Sequence, residues 1–303
     1  MKKVIALLLA AMLLLAMMSG CASNSSTAET TAKEETTAAA ETTTAAETTT
    51  AEQTAQAPFD TVTPGVLTVG TSPDFAPYEF YIVDSDGSMQ MVGFDVALAQ
   101  AIADHYGLEL KMQALSFDAL LLELQAGTID LAIAGFSPDP DRLETTDFSD
   151  LYYEGGQAFV IRAEDADKYT SYADFSGMTV EAQTGSIQYD LAEQNTPDAK
   201  ITGIKAVTTI ISDLMNGKCE GAFIETAVAD NYIKNYPELK IAWDVQYDGA
   251  AGSAVAVQKG NSAMLEAVNT VVAQVKADGS MDQFIADANE LALSDKAQEI
   301  SAE

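Results

Sequence analysis

Apolar and polar positions alternate in two registers along the chain from Val62 onward. Val66-Leu67-Thr68-Val69-Gly70 is a short β-rich run and predicts a strand. Phe80 to Val83 and Met89 to Val92 flank Asp84-Ser85-Asp86-Gly87, a hairpin signal. From Asp95 to Tyr106 the period changes. Val96, Ala99, Ile102, Ala103 and Tyr106 fall at helical spacing, and Gly107 ends the pattern. Leu108 to Ala114 predicts a strand, and Phe117 to Ala126 a helix closed by Gly127. Leu131-Ala132-Ile133-Ala134 predicts a short strand covered on both faces. A second set follows: strand Thr179–Ala182, helix Ile187–Gln194, a strand near Ile201, helix Thr208–Met215, strand Ala222–Ile224, helix Ala227–Asn235 and strand Ile241–Trp243. Strand Ser253–Val257 and the long helix Ser262–Lys276 complete the pattern. Alternation of this kind implies open, largely parallel sheets, and no repeat of solenoid length interrupts it.

The first part of the chain has a different pattern. Met1-Lys2-Lys3 is basic, and Val4 to Met18 is an unbroken apolar run of 15 residues. That is short for a membrane-spanning helix, which needs about 20, and it suits the core of a secretory signal peptide, residues 1–20. The sequence Met18-Ser19-Gly20-Cys21 resembles a bacterial lipobox, so Cys21 is expected to carry lipid and to begin the mature chain. Several acyl chains on one Cys anchor stably where a single chain is marginal. Ala22 to Ala57 is almost all Ala, Thr, Glu, Ser and Gln. It cannot bury enough surface to offset its entropy and reads as a disordered tether, with an r.m.s. reach of roughly 30–35 Å.

Composition narrows the function. The chain has 303 residues, with Asp+Glu 46 against Lys+Arg 15 and a formal net charge of -31. Its length suits two domains. Its acidity argues against a nucleic-acid partner, since phosphate binding needs clustered Lys and Arg. There is one histidine, His105, and no Gly-Lys-Ser/Thr phosphate loop. Most His-based catalysis, a His-rich metal site and a nucleotide cofactor are therefore not expected. With Cys21 lipidated, Cys219 has no disulfide partner and reads as a small buried side chain.

Ligands of open α/β sheets sit beyond the carboxyl ends of the strands, so the residues after each strand carry the candidate chemistry. Ser72-Pro73-Asp74-Phe75-Ala76-Pro77-Tyr78 follows the first strand, and Phe75 is its nearest aromatic. Gly135-Phe136-Ser137 follows Ala134 and leads to Arg142, one of two arginines in the chain. The glycine lets a ligand approach the backbone. The arginine is either a surface ion-pair partner of Asp139, Asp141 or Glu144 or a fork for a carboxylate. Gln183-Thr184-Gly185-Ser186 leads into a helix, where Ser186 is either an N-cap or an added donor for an anion. Glu225 ends an apolar strand and is either a helix cap or a dock for a cation. With Phe117 as a second aromatic wall, this set complements a zwitterion, an α-amino acid.

These stretches, with Gly93-Phe94-Asp95-Val96, Leu124 to Asp130, Asp147-Phe148-Ser149-Asp150, Tyr152-Tyr153 and Lys276 to Ser280, resemble the bacterial extracellular solute-binding proteins of family 3. These are the polar amino-acid receptors of ABC importers. The resemblance covers about Val66 to Ala288. It implies a periplasmic-binding-protein type II fold, with two α/β lobes joined by two hinge strands. Lobe 1 would be residues 62–154 plus 253–293, and lobe 2 residues 157–248. The hinges would lie at Gly155-Gly156-Gln157 and Gly249-Ala250-Ala251-Gly252, and closure around ligand is the implied motion.

Residue by residue, the resemblance gives Arg142 the ligand's α-carboxylate, assisted by Ser137 and by Ser186 from the second lobe. Gly135 supplies a backbone acceptor for the ammonium, Glu225 matches the family's ammonium-binding Asp, and Phe75 and Phe117 match the aromatic walls. Ser72 stands where many members have Asp, and Gln183 where some have Lys, so both bear on specificity. The implied partners are an amino acid, the permease and ATPase of an importer, and a membrane through Cys21, with the receptor itself a monomer. An enzyme of the same fold acting on a cyclohexadienyl amino acid, with Glu225 or Asp74 as acid, and an amino-acid sensor without transport are the alternatives.

Overall fold

The computed structural model describes residues 57–247, 249 and 252–298. The signal peptide, Cys21, the tether up to residue 56, and Ala250 and Ala251 of the second glycine-rich segment lie outside the described residues.

The chain begins with β1 (Val66–Thr71), the hairpin β2 (Phe80–Val83) and β3 (Met89–Val92), α1 (Phe94–His105), β4 (Glu109–Ala114), α2 (Phe117–Ala126), β5 (Leu131–Ala132), α3 (Pro140–Thr145) and β6 (Thr146–Phe148). A second run follows: β7 (Gln157–Arg162), β8 (Thr179–Gln183), α4 (Ile187–Asn195), β9 (Lys200–Ile204), α5 (Val207–Met215), β10 (Gly221–Glu225), α6 (Thr226–Asn235) and β11 (Leu239–Val245). The chain then adds β12 (Ala256–Gln258), α7 (Ser262–Ala277), α8 (Ser280–Ala292) and β13 (Ala297–Gln298).

Two five-stranded sheets result, ordered β4-β1-β5-β12-β6 and β11-β7-β10-β8-β9, and β13 joins the β2–β3 hairpin. The sheets are mixed rather than simply parallel. In the first, β12 runs antiparallel to both β5 and β6; in the second, β7 runs antiparallel to both β10 and β11. The reason is the path of the chain. Each reversed strand is the one entered on crossing from the other lobe. It starts at the cleft, where its neighbours end, and therefore runs the opposite way.

The two crossing segments pair with each other. Tyr153 and Ser253 form an antiparallel bridge; Ser253 N–H donates to Tyr153 O at 2.8 Å and Tyr152 N–H to Ser253 O at 2.9 Å. Gly252 permits the approach, since a Cβ there would lie 2.4 Å from the Tyr153 carbonyl oxygen.

The expected Leu131–Ala134 strand is cut to two residues: Ile133 N–H makes a last ladder bond to Gly70 O, and the chain then turns away through Gly135 at φ 59. The expected Ser253–Val257 strand is confined to residues 256–258, since Ser253 is engaged in the crossing. In the first lobe, Leu67 and Val69 of β1, Leu98 and Ile102 of α1, and Val268, Val271 and Val272 of α7 are fully or almost fully buried in one apolar cluster. The second lobe packs Phe159 against Phe175, Phe223 and Trp243, with ring centroids 4.7–5.5 Å apart. Cys219 is fully buried, and burial pushes its thiol pKa up. Among the described residues no helix is long and apolar enough to cross a membrane.

Candidate functional site

Arg142 is placed by the short helix α3. Asp139 caps it, accepting from the N–H groups of Asp141 and Arg142 at 3.0 Å each, and Pro140 occupies the first turn, where its missing N–H costs nothing. This fixes Arg142 one turn into the helix, beside its own cap. The guanidinium Nε is 3.0 Å from Asp139 Oδ2. The ion pair that sequence offered as an alternative therefore exists, but not at the surface: the Arg142 side chain is 11% exposed. Nη1 donates to Ser137 O at 2.8 Å, and Nη2 crosses the cleft to Gly185 O at 3.1 Å. The Phe136 and Phe117 rings lie 5.2 and 5.7 Å from the guanidinium carbon and stack on each other. Burial pulls the Arg142 pKa down from its ordinary value, with Asp139 opposing. Of five guanidinium N–H groups, these bonds use three, which leaves two for a carboxylate.

Around this fork Phe75, Phe117, Gly135, Ser137 and Gln183, with Ile187 and Gln188, enclose a cavity of about 10 Å³. That is the room of one water. The lobes are shut, and they must part before anything of amino-acid size enters. Gly135 is required here: its φ is 59, and a Cβ would come 2.9 Å from the Phe75 ring.

The other three expected residues do not line this cavity. Ser186 caps α4, accepting from Tyr189 N–H at 3.2 Å and donating to Gln183 O at 2.7 Å. Ser72 donates to Asp74 Oδ1 at 2.9 Å. Glu225 caps α6 through Val228 N–H at 3.0 Å, and its other oxygen lies beside the Tyr78 hydroxyl. It borders a separate hollow of about 270 Å³ with Tyr153, Gly155, Gly156 and Asp230. Gly155 makes room for it, since a Cβ there would lie 2.6 Å from Glu225 Oε1.

Two buried acids lie outside the ligand-binding set expected from sequence. Asp95, from the Gly-Phe-Asp stretch, accepts from Gly135 N–H and from the Tyr152 hydroxyl, both at 2.9 Å. It thereby fixes the strand tip and the start of the crossing segment, with the Glu79 carboxyl against its other oxygen. Asp74 reaches across the cleft to Val207 and Gln183. Burial pushes Asp95 and Glu225 up to about 7 and Asp74 to about 6.

A carboxyl whose pKa is higher folded than unfolded holds its proton more tightly when folded. Its stabilising contribution is complete below about pH 4 and is lost as pH rises through 6 and 7. The ligand-free protein is therefore expected to melt at a higher temperature at pH 5 than at pH 8. Asp95 alone contributes about 2–3 kcal/mol of that difference, and Asp95→Asn should shrink it. A melting temperature that rises from pH 5 to pH 8 would contradict the assignment.

The chain matches known proteins over this same body. Residues 67–287 match the bacterial extracellular solute-binding proteins, family 3. The arginine-binding extracellular protein ArtP of Bacillus subtilis is 30% identical over 222 residues, 72% of this chain and 84% of that one. Among solved structures, the amino acid ABC transporter substrate-binding protein AbpA of Streptococcus pneumoniae, bound to L-arginine, superposes with a TM-score of 0.72. It is 35% identical and is matched over 76% of this chain and 97% of its own. AncCDT-1, an ancestral amino-acid-binding protein and precursor of cyclohexadienyl dehydratase, gives 0.66 at 28% identity over 74% and 95% of the two chains. This chain belongs to the bacterial extracellular solute-binding proteins of family 3.

Proposed function

We propose that this protein is a lipid-anchored receptor that shuts its lobes on an α-amino acid, with arginine the first candidate, and hands it to an ABC importer. Membership of the family carries the amino-acid-binding and delivery role and an extracytoplasmic setting. Anchoring through Cys21 rests on the lipobox-like Met18-Ser19-Gly20-Cys21. The observation that supports the ligand reading best is the Arg142 fork, buried between two lobes with two N–H groups to spare. In the shut cavity it faces the two aromatic walls, whose planes suit a planar cationic side chain. Arginine comes first because ArtP is named as arginine-binding and AbpA is bound to L-arginine.

Binding is favoured over catalysis by the relatives, ArtP being named as arginine-binding and AbpA as a transporter substrate-binding protein. Melting the purified protein against each of the twenty amino acids tests the reading. L-Arginine at 100 times its dissociation constant should add about 2.7 kcal/mol of stability. A melting temperature that no amino acid moves would overturn it.

A further inference from the structure

We propose that Asp74 is a positioning residue for ligand capture: its carboxylate caps α5 from across the cleft, ties the shut lobes together and sets Gln183 against the cavity. The proposal rests on the receptor reading above.

The argument starts from a helix without a cap. The N-cap position of α5 is Ala206, whose side chain has no oxygen to offer, so the first amides of α5 need an acceptor from elsewhere. Asp74 provides it from the loop between β1 and β2 in the other lobe. Its Oδ2 accepts from Val207 N–H at 2.6 Å, at the positive end of the helix dipole. Its Oδ1 accepts from Ser72 Oγ at 2.9 Å, so the two loop residues act as one unit. Gln183 Nε2 lies 3.4 Å from Oδ2 and also donates to Lys205 O at 3.0 Å, which holds the Gln183 side chain on the cavity wall from two sides.

Asp74 is only 4% exposed. A carboxylate is buried this far only when hydrogen-bonded, and both of its oxygens are committed to protein. Parting the lobes breaks the bond to Val207 and returns both groups to water. The bond therefore counts only toward the shut arrangement, whichever amino acid lies inside.

Nitroxide labels at Leu122→Cys on α2 and Glu193→Cys on α4, both exposed positions in opposite lobes, report the separation, while Cys219 is buried and stays unlabelled. In the ligand-free protein, Asp74→Ala is expected to shift the distances toward larger separations. The same variant should weaken L-arginine, L-glutamine and L-histidine by one common factor, roughly ten- to hundredfold. Asp74→Asn, whose amide oxygen still accepts from Val207, should recover part of both effects. Identical ligand-free distances in wild type and Asp74→Ala would overturn the proposal. So would a loss confined to L-arginine, which would make Asp74 the partner of the ligand's own cation. If none of the three amino acids bound, the receptor reading would fail, while the label distances would still decide the role of Asp74.

Discussion

Arg142→Ala is expected to cut amino-acid affinity by thirty- to several thousandfold, about 2–5 kcal/mol, with the folded body intact. The size follows from what remains. A ligand carboxylate held in the shut cleft would lose its cation in a nearly dry place, beside the stacked Phe117 and Phe136 rings. The bond from Nη2 to Gly185 O would go with it, so one tie between the lobes is lost as well. Folding survives because the cap of α3 is Asp139, not Arg142. Arg142→Lys should recover only part of the affinity, since an ammonium cannot reproduce a planar fork. Titration calorimetry with L-arginine reads both variants, and an unchanged dissociation constant for the alanine variant would remove Arg142 from the site.

Gly93→Ala should be the most damaging single change to the fold, costing about 4 kcal/mol or more. Gly93 is the residue before α1, at φ 127 and ψ 168, a region open to glycine alone. The carbonyl of Tyr78 accepts from Asp95 N–H at 3.0 Å to start that helix. A Cβ on Gly93 would sit 2.0 Å from the same carbonyl oxygen and 2.6 Å from its carbon. Backbone is not free to yield as a flexible side chain would. The loop from Tyr78 would be pushed off α1, parting Glu79 from Asp95. Urea unfolding with a midpoint close to wild type would show that the loop gives way more readily than its packing implies.

Much of the fold was legible because its signals are local. The period change at Asp95, the glycines after α1 and α2, and the hairpin at Asp84–Gly87 each act within a few residues, and the elements, the Ser253–Val257 strand apart, fall within a residue or two of their expected limits. The missed pieces depend on where the chain goes. β7 is a plain apolar run, but its antiparallel seat between β10 and β11 follows only from the crossing between lobes. α8 is the exception: Met281, Phe284, Ile285, Ala288 and Ala292 at helical spacing after Gly279 are a local signal, though the helix is not among the expected elements.

At the site, sequence identified the strand ends but not how each side chain there is used. Ser186 and Glu225 cap their helices in the shut structure, and a hydroxyl or carboxylate just before a helix has the same sequence signature whether it caps or binds. Asp74 was visible only as a loop acid and, in the enzyme alternative, as a catalytic acid. Its partner Val207 lies 133 residues away, and no spacing rule spans that distance.

The reversed strand β12 sits inside the first sheet, between β5 and the edge strand β6. A polypeptide that emerges amino terminus first therefore lays down both neighbours long before the residues that must fill the gap. Until position 258 is available, β5 and β6 have no shared ladder and the first lobe stays unfinished. The second lobe, an unbroken segment inserted within the first, has all its strands in hand by residue 245. The order of completion is thus inverted: the half that starts last is the half that can finish first, and the earlier half waits on it.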